Sequence, residues 1–333
     1  MTDPIFALPR KVPPRKPRRA RWALGTAVLG RPAYINTGSG SELPADHGVQ
    51  AFRENTFRVL DAALDMGVDW IDTARSYGRA EEFLGQWWRA RGAADPGWLD
   101  RAPTVSSKWG YAYVGDWDRD ADVHEVKNHS LAQFEAQWSL SRGTLPHLNL
   151  YQVHSLTLDS PLFADGPLLD ALARLRDSGV AIGFSTSGPR QGETILSAME
   201  VQRGEANLFS AVQATWNLLE TSAAPALKMA SRRELTVIVK EALANGRLAT
   251  DPSRRLTDVA TRLGATPDAV ALAAAAMQPW ADRVLLGAAG VGQLQSNLTA
   301  TGLLLTADDL AELMADPEEP AQYWQTRAQL AWQ

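Results

Sequence analysis

The chain of 333 residues contains no cysteine. This absence excludes disulfide bonds, thiolate metal ligands and a cysteine nucleophile. Long apolar runs are missing too, and without a stretch of about 18 apolar residues we expect no membrane partner. An excess of basic residues is also lacking, because the formal net charge is −5. We therefore expect no nucleic acid as the main partner.

Two familiar site motifs are absent. No Gly-x-Gly-x-x-Gly sequence follows a strand and opens a helix, so the Rossmann dinucleotide fingerprint is lacking. The acidic run from Asp116 to Asp122 lacks the Gly and the terminal Glu of an EF-hand loop. His124 and His129 share no metal-ligand spacing with a carboxylate, so we expect no metal site.

The first 20 residues are rich in Arg, Lys and Pro. The prolines exclude the amphipathic helix of a transit peptide, and no apolar segment follows that would make a secretory signal. We expect residues 1–20 to form a flexible basic arm and the protein to be cytoplasmic. The sequence leaves the oligomeric state open.

Past that arm, short apolar segments alternate with helical patterns. The eight predicted strands are Arg21–Ala27, Asp69–Thr73, Thr104–Lys108, Asn149–His154, Ala181–Ser185, Ala211–Thr215, Thr236–Lys240 and Arg283–Gly287. The predicted helices are Phe52–Met66, Ala80–Arg91, Lys127–Ser141, Pro167–Ser178, Glu193–Gln202, Pro225–Arg233, Pro267–Met277 and Gly292–Ala300. Eight alternations without a linker favour an α/β fold, a closed (β/α)8 TIM barrel, over a doubly wound sheet. We expect one domain over residues 21–333, including a C-terminal helical tail.

Three polar residues that suit one site stand at or next to the carboxyl ends of predicted strands. These residues are Asp72, Lys108 and His154, and Tyr77 follows Asp72 by five residues. The carboxyl ends of barrel strands converge on one face, where the following loops build the active site. Each residue alone has an ordinary alternative, as a helix cap, a solvated lysine or a core histidine. Their joint placement predicts one shared site.

These four side chains together suit proton transfer to a carbonyl group. A phenol is a weak acid at neutral pH, and a neighbouring ammonium lowers its pKa, so we expect Lys108 to lower the pKa of Tyr77. Asp72 would pair with Lys108. His154, as a neutral donor, would hydrogen-bond the substrate oxygen. Because protein side chains supply no hydride, a cofactor must carry it.

An ordered series of short motifs runs from Trp22 to Asn297. The motifs are Leu24-Gly25-Thr26, Gly67 to Ala74, Tyr77-Gly78, Glu82 to Gly85, Ser107-Lys108, Leu150 to Ser155, Ile182 to Ser185, Val212-Gln213, Gly287-Ala288, Gln293-Leu294 and Asn297. In this order the chain resembles the aldo-keto reductases. The resemblance implies a catalytic tetrad of Asp72, Tyr77, Lys108 and His154, with Tyr77 as general acid. It also implies NADP(H) or NAD(H) bound across the barrel mouth without a Rossmann domain.

The same resemblance implies a set of cofactor-binding residues. They are Gly25, Thr26, Ser185, Thr186, Gln213, Trp216, Leu243, Asn245, Gly246, Leu248, Gly287, Gln293 and Asn297. Among them, Ser185 and Gln213 would hold the nicotinamide carboxamide, and Trp216 would stack on the ring. The loop from Leu243 to Leu248 would embrace the pyrophosphate, while Gln293 and Asn297 would meet the adenine.

Some positions depart from the family pattern. Thr186 stands where Asn is usual, and Trp216 where Tyr is frequent; a hydroxyl cannot replace a full amide. Ala289 and Gly290 stand where many relatives have residues that surround the 2′-phosphate of NADP. The lack of a basic group there weakens the case for NADP over NAD.

Glu241 is a further departure, because it puts a carboxylate near the expected pyrophosphate. Like charges would repel unless Lys240 or Arg247 neutralises it. Alternatively, Glu241 binds a ribose hydroxyl or Lys240.

The loops after the strands would select a small carbonyl or alcohol substrate. The loop after the first strand, which contains Tyr34, is long and rich in Gly and Ser and could cover the barrel mouth. Trp109 and Tyr111 could form apolar walls around the substrate. Equally, they are aromatics packed within the loop.

The sequence predicts an NAD(P)(H)-dependent oxidoreductase that interconverts a carbonyl and an alcohol, with Tyr77 as general acid and base. Three alternatives remain. The enzyme oxidises a sugar or another alcohol with NAD; the chain is a non-catalytic, cofactor-binding regulatory relative; or Lys108 forms a Schiff base in an unrelated barrel hydrolase or lyase.

Overall fold

The computed structural model describes residues 21–32 and 43–330. The basic segment 1–20 and most of the loop after the first strand, including Tyr34, lie outside the described residues.

The elements are numbered along the described residues. The strands are β1 (Arg21–Gly25), β2 (Trp70–Asp72), β3 (Thr104–Trp109), β4 (Tyr111–Tyr113), β5 (Glu125–Lys127), β6 (Leu150–Leu156), β7 (Ala181–Thr186), β8 (Gln202–Arg203), β9 (Ala206–Asn207), β10 (Ala211–Thr215), β11 (Thr236–Lys240) and β12 (Arg283–Leu286). The helices are α1 (Val49–Asp65), α2 (Ala80–Ala94), α3 (Trp98–Arg101), α4 (Leu131–Thr144), α5 (Gly166–Asp177), α6 (Gln191–Met199), α7 (Ala224–Arg232), α8 (Arg247–Thr250), α9 (Arg254–Arg262), α10 (Pro267–Ala276), α11 (Val291–Leu298), α12 (Ala307–Leu313) and α13 (Pro320–Ala328). Short 3-10 helices cover Ala27–Leu29, Pro161–Ala164 and Thr299–Gly302.

Eight parallel strands close into a barrel in the order β1, β12, β11, β10, β7, β6, β3 and β2. Strand β1 pairs with both β2 and β12, which closes the sheet. Helices follow the strands and cover the outside, so the predicted (β/α)8 TIM barrel is confirmed. The antiparallel hairpin of β4 and β5, which follows β3, was not predicted.

Each barrel strand presents alternate residues to the interior and to the helices. Inside the barrel, Ala23, Trp70, Leu150, Ala211 and Ile238 form a separate apolar cluster. The outward residues belong instead to the large cluster beneath the helices. Two residues further along the same inner face, the side chains become polar: they are Asp72, Gln152, Gln213 and Lys240. The apolar layer thus forms a floor, and polar groups collect above it at the carboxyl ends of the strands.

The helix boundaries follow from local capping. The Asp165 side chain accepts a hydrogen bond from Leu168 N at 3.0 Å, which caps α5. Helix α4 begins at Leu131 rather than at the predicted Lys127, because Lys127 pairs in the hairpin and Ser130 is the N-cap. Within the described ranges, every helix is too short or too polar to cross a bilayer.

Candidate active site

A deep cavity opens at the carboxyl ends of the barrel strands. Its volume is about 320 Å³. Asp72, Tyr77 and His154 line one part of its wall. Ligand pockets typically measure about 300–1,000 Å³, so this cavity has the size of a small-molecule binding site.

Lys108 lies at the centre of the expected tetrad. Its Nζ forms a close ion pair with the Asp72 carboxylate, donates to the Thr73 carbonyl oxygen at 2.9 Å and lies 3.5 Å from the Tyr77 hydroxyl. The side chains of Lys108 and Asp72 are almost completely buried. Each ammonium proton therefore has one acceptor, which fixes the direction of the side chain.

The other oxygen of the Asp72 carboxylate is also fully engaged. Its Oδ1 accepts hydrogen bonds from the Ser106 hydroxyl at 2.7 Å, from Gln152 Nε2 at 3.2 Å and from Gln213 Nε2 at 3.1 Å. A buried carboxylate costs little only when such partners replace its lost water. This network joins four strands of the barrel around one charge pair.

Tyr77 and His154 form the surface that faces the cavity. Their rings meet edge to face, with centroids 5.6 Å apart. His154 Nδ1 lies 3.4 Å from the Ser76 hydroxyl. If that hydroxyl donates to Nδ1, the neutral ring carries its proton on Nε2. The structure therefore brings the four expected tetrad residues together.

The charges around this surface fix two protonation states. Burial and the cations Lys108 and Lys240 hold the pKa of His154 well below its usual value, so the ring is neutral, as expected. Burial and the Asp72 carboxylate raise the pKa of Tyr77 well above its usual value, although Arg31 opposes the shift. The net shift is therefore opposite to the lowering that we expected from Lys108, because burial and the Asp72 carboxylate outweigh the nearby cations.

A second buried carboxylate supports the loop that carries Tyr77. Glu81 is fully buried and forms an ion pair with Arg75 Nη1 at 2.7 Å. Its oxygens also accept hydrogen bonds from the hydroxyls of Ser107 and Ser141. Arg75 N donates to the Lys108 carbonyl oxygen at 3.0 Å, so this network fastens the β2–α2 loop to β3.

Many of the expected cofactor residues line the same cavity. Those at its wall are Gly25, Gln213, Leu243, Asn245, Gly246, Gly287, Gln293 and Asn297. Ser185 lies close by, where its hydroxyl accepts a hydrogen bond from Ser155 N at 2.8 Å. Thr26 is buried, with its hydroxyl 3.2 Å from the Asp72 carbonyl oxygen, and Leu248 packs in the outer core.

Three expected ligand contacts point away from the cavity. Trp216 is buried edge to face against Trp280, with ring centroids 5.8 Å apart, so it does not offer the stacking surface we expected. Trp109 packs on Phe134 at 5.1 Å and is not a substrate wall. Thr186 is fully buried beside Gln191. All three follow an inward-facing residue by one position, and strand alternation turns them outward.

Tyr111 differs from Trp109 in its position. Its ring contacts His154, with centroids 5.0 Å apart, and lines the cavity. The expectation of a wall residue at Tyr111 therefore agrees with the geometry.

The loop after β11 has an unusual backbone. Glu241, Ala244 and Asn245 have φ values of 55°, 50° and 56°, and Gly246 has 91°. Positive φ in a non-glycine residue costs on the order of 1–3 kcal/mol and often marks a ligand-binding site. This loop forms part of the cavity wall.

The Glu241 carboxylate pairs with two cations, of which Lys240 was an expected partner. Lys240 Nζ lies 3.4 Å from its carboxylate, and Arg327 of α13 binds it through Nε and Nη2 at 2.6–3.1 Å. Burial opposes ionisation, but Arg327 and Lys240 outweigh it and hold the pKa of Glu241 at about 2. Arg247, the other expected partner, pairs with Glu318 instead.

The family model for the aldo/keto reductase family matches residues 40–315 of the chain. The chain belongs to the aldo/keto reductase family. Two solved structures from Pseudomonas aeruginosa, both assigned to the aldo-keto reductases, share the fold. One is 22% identical, with a TM-score of 0.58, and covers 84% of this chain and 88% of its own. The other is 21% identical, with a TM-score of 0.59, and covers 93% and 95%.

A curated relative gives a shorter match. The uncharacterized oxidoreductase YrpG of Bacillus subtilis (strain 168) is 26% identical over 126 residues. The match covers 34% of this chain and 35% of YrpG, so it spans about a third of that protein's length.

Several cavity residues of this aldo/keto reductase were not predicted. Arg31, Glu125 and Ser155 lie near the tetrad, and Arg327 lies near Glu241. One signal for Arg327 exists in the sequence: it follows the aromatic residues Tyr323 and Trp324 by four and three positions, which places all three on one helix face. Tyr323 and Trp324 are buried, so this face is the docked one.

Proposed function

We propose that this aldo/keto reductase is a nicotinamide-dependent oxidoreductase that interconverts an aldehyde or ketone and the corresponding alcohol. The observation that carries the proposal is the convergence of Tyr77, His154 and Asp72 on one wall of the cavity, with Lys108 paired to Asp72 and 3.5 Å from the Tyr77 hydroxyl. The cofactor, when bound, supplies or accepts the hydride.

In the direction of reduction, Tyr77 donates a proton to the substrate oxygen. Its raised pKa keeps the phenol protonated until the oxygen of the substrate gains charge. His154, neutral at physiological pH, donates a hydrogen bond to the same oxygen. Lys108, 3.5 Å from the Tyr77 hydroxyl, stabilises the phenolate that remains. Oxidation of an alcohol uses the same groups with Tyr77 as the base.

The donor set of the cavity fits NAD(H) or NADP(H). The amide side chains of Gln213, Gln293 and Asn297 suit the polar edges of nicotinamide and adenine. Lys240 and Arg327 suit the negative charge of a diphosphate. A Cβ added at Gly287 would meet no atom within 4 Å, so the wall is open there. These residues would hold the cofactor.

The alternative of a Schiff base on Lys108 fits the geometry poorly. A Schiff base needs a neutral, accessible amine, whereas Lys108 Nζ is buried and bound by Asp72, Thr73 and Tyr77.

Replacing Tyr77 by Phe tests the proposal. We expect kcat to fall by about 10²–10⁴-fold, because general acid catalysis is lost. Cofactor affinity should change by less than about twofold, since the hydroxyl contributes to proton transfer. Tryptophan fluorescence, with 12 Trp residues as reporters, measures the binding of NADH and of NADPH separately.

The Tyr113→Phe variant is the matched control. Tyr113 lies on the neighbouring hairpin and accepts a hydrogen bond from Trp117 N at 3.1 Å, outside the cavity wall. It should retain nearly full turnover. Full turnover in Tyr77→Phe would refute the assigned role, and binding of neither dinucleotide would refute the cofactor.

A further inference from the structure

A buried ion pair lies beside the tetrad, outside the four residues of the proposed proton transfer. Arg31 follows the 3-10 helix after β1, and its Nη1 lies 2.7 Å from Glu125 Oε1 of the hairpin strand β5. The Arg31 side chain is 3% exposed and that of Glu125 is 18% exposed. Both residues line the cavity, so the pair joins two mouth loops inside the ligand space.

The pair is close to the reacting groups. The guanidinium carbon of Arg31 lies 5.4 Å from the centre of the Tyr77 ring. Arg31 Nη1 also lies 3.5 Å from the Ser76 carbonyl oxygen, next to the residue whose hydroxyl faces His154. Arg31 and Glu125 therefore line the cavity next to the position where a substrate oxygen would meet Tyr77 and His154.

Stability does not account for this pair. A buried ion pair loses hydration, and apolar residues of similar size often stabilise a fold equally well or better. The nearby wall already contains Ala27 and Val28, which are apolar. Two opposite charges held in a cavity wall instead suit recognition of a polar ligand.

The chemistry of the pair selects among ligands. A guanidinium offers only donors, a carboxylate only acceptors, and together they are neutral. A hydroxyl group both donates and accepts, so it can bond to both members. A substrate carboxylate would meet the like charge of Glu125, and an alkyl chain would remove water from the pair without replacing its hydrogen bonds.

Two more hydroxyl groups lie on this side of the cavity. Tyr111 contacts the His154 ring, and Ser155 is the next residue after His154. Both residues line the cavity. Polar groups thus extend from Arg31 and Glu125 around the position of the substrate.

We propose that the Arg31–Glu125 pair binds hydroxyl groups next to the reacting carbonyl and makes the enzyme selective for uncharged hydroxylated aldehydes and ketones. The inference rests on the proposed function for the reaction itself. It assigns specificity to two residues outside the tetrad.

Three aldehydes test the selectivity: glyceraldehyde is hydroxylated, propionaldehyde has the same carbon chain without hydroxyls, and glyoxylate carries a carboxylate. We expect kcat/KM for glyceraldehyde to exceed that for propionaldehyde by about 100-fold, because charged groups strengthen the lost hydrogen bonds. Glyoxylate should be the poorest of the three.

The Arg31→Met variant removes the guanidinium and keeps much of the volume. It should lower the glyceraldehyde to propionaldehyde ratio of kcat/KM about tenfold or more, mainly through KM for glyceraldehyde, whatever change in turnover both aldehydes share from the loss of the charge beside Tyr77. This ratio of ratios cancels the inherent reactivity of the two aldehydes. Glu125→Gln should lower the ratio less, because the amide still accepts a hydrogen bond.

Arg119→Met is the control, since Arg119 is exposed on the loop between β4 and β5. It should keep the selectivity of the parent. Equal losses for both aldehydes in Arg31→Met, or a preference for glyoxylate in the parent, would overturn the inference.

A binding measurement separates this inference from the proposed reaction. Calorimetry with glycerol and with 1-propanol needs no turnover. The parent should bind glycerol more tightly and Arg31→Met should bind the two alike; equal binding by the parent contradicts the role of the pair even if aldehydes are reduced. If the parent reduces no aldehyde but still binds glycerol more tightly than 1-propanol, only the proposed function is contradicted.

Discussion

Two ion pairs line the same cavity and are held in different ways. Asp72 and Lys108 stand on neighbouring barrel strands, almost completely buried, with hydrogen bonds from three other side chains. Glu241 and Arg327 join a loop with positive φ to the C-terminal helix, and their side chains are 11% and 27% exposed. The reaction side of the cavity is therefore fixed by the sheet itself. The other side depends on a segment that docks onto the barrel.

That segment has several further contacts. Asn217 Nδ2 lies 3.0 Å from the Tyr323 hydroxyl, and Arg247 pairs with Glu318 just before α13. These bonds are individually modest, because partly exposed ion pairs contribute about 0–1 kcal/mol each. The contacts around the tetrad therefore contribute more to the free energy of unfolding than those of the docked helix α13. The helix α13 can adjust its position more easily when a cofactor binds.

The largest effect is expected from a substitution that breaks the ion pair between Asp72 and Lys108. Asp72→Asn leaves Lys108 buried without a counter-charge, so we expect the free energy of unfolding to fall by about 3–5 kcal/mol. Urea denaturation followed by Trp fluorescence measures the loss. Asp69→Asn is the matched control, because Asp69 pairs with Arg21 and Arg283 but is 38% exposed. Its loss should be about 1 kcal/mol or less, and equal losses in both variants would remove the contrast.

A smaller effect is expected from a substitution in α13, the C-terminal helix that docks onto the barrel. Arg327→Met removes a cation from the cavity wall and leaves Glu241 with Lys240 alone, so the affinity for NADH and NADPH should fall about tenfold. Arg247→Met is the control, since Arg247 also ties the loop to the C-terminal segment but lies outside the cavity wall. It should change dinucleotide affinity by less than twofold. An equal fall in both variants would show that docking, and not charge in the cavity, matters.

The smallest effect is a pH dependence. Burial lowers the pKa of Lys240 to about 8, although Glu241 opposes the shift. The cation is present below that pH and lost above it, so NADH affinity should fall several-fold between pH 7 and pH 9. Lys240→Met should bind more weakly at pH 7 and show little dependence over this range. Lys228→Met, on the surface of α7, should keep the parent's dependence; a flat parent profile would exclude Lys240 from cofactor binding.

Lys240→Met also tests how the free energy of unfolding depends on pH through the proton on Lys240. The pKa of Lys240 is lower in the folded chain than in the unfolded chain, which therefore binds the proton more tightly between pH 8 and about 10.5. The contribution of Lys240 to folding thus becomes more favourable as pH rises through this window.

The sequence predicted the barrel because the patterns that indicate strands and helices involve residues close together in the chain. Period-two alternation and helix caps such as Asp165 depend on residues a few positions apart. The same alternation could have placed Trp109, Trp216 and Thr186 on the outer face, since each follows an inward residue. The hairpin of β4 and β5 was missed because the acidic loop between its short strands hides the pairing.

The protonation of Tyr77 could not be predicted from residue types. A neighbouring lysine favours the phenolate, but burial and then the Asp72 carboxylate favour the neutral phenol and outweigh it. Both effects depend on distances that the chain order does not contain.

The sequence by itself determined that Asp72, Lys108 and His154 lie at strand ends, and closing a barrel brings such ends together. Only the tertiary structure decided which groups surround them. Arg31 meets Glu125 across 94 positions and Arg327 meets Glu241 across 86, so neither contact follows from a local period. The physical reason is that strand periodicity orients neighbours along the chain, whereas the docking of loops and of the last helix depends on packing across the whole barrel.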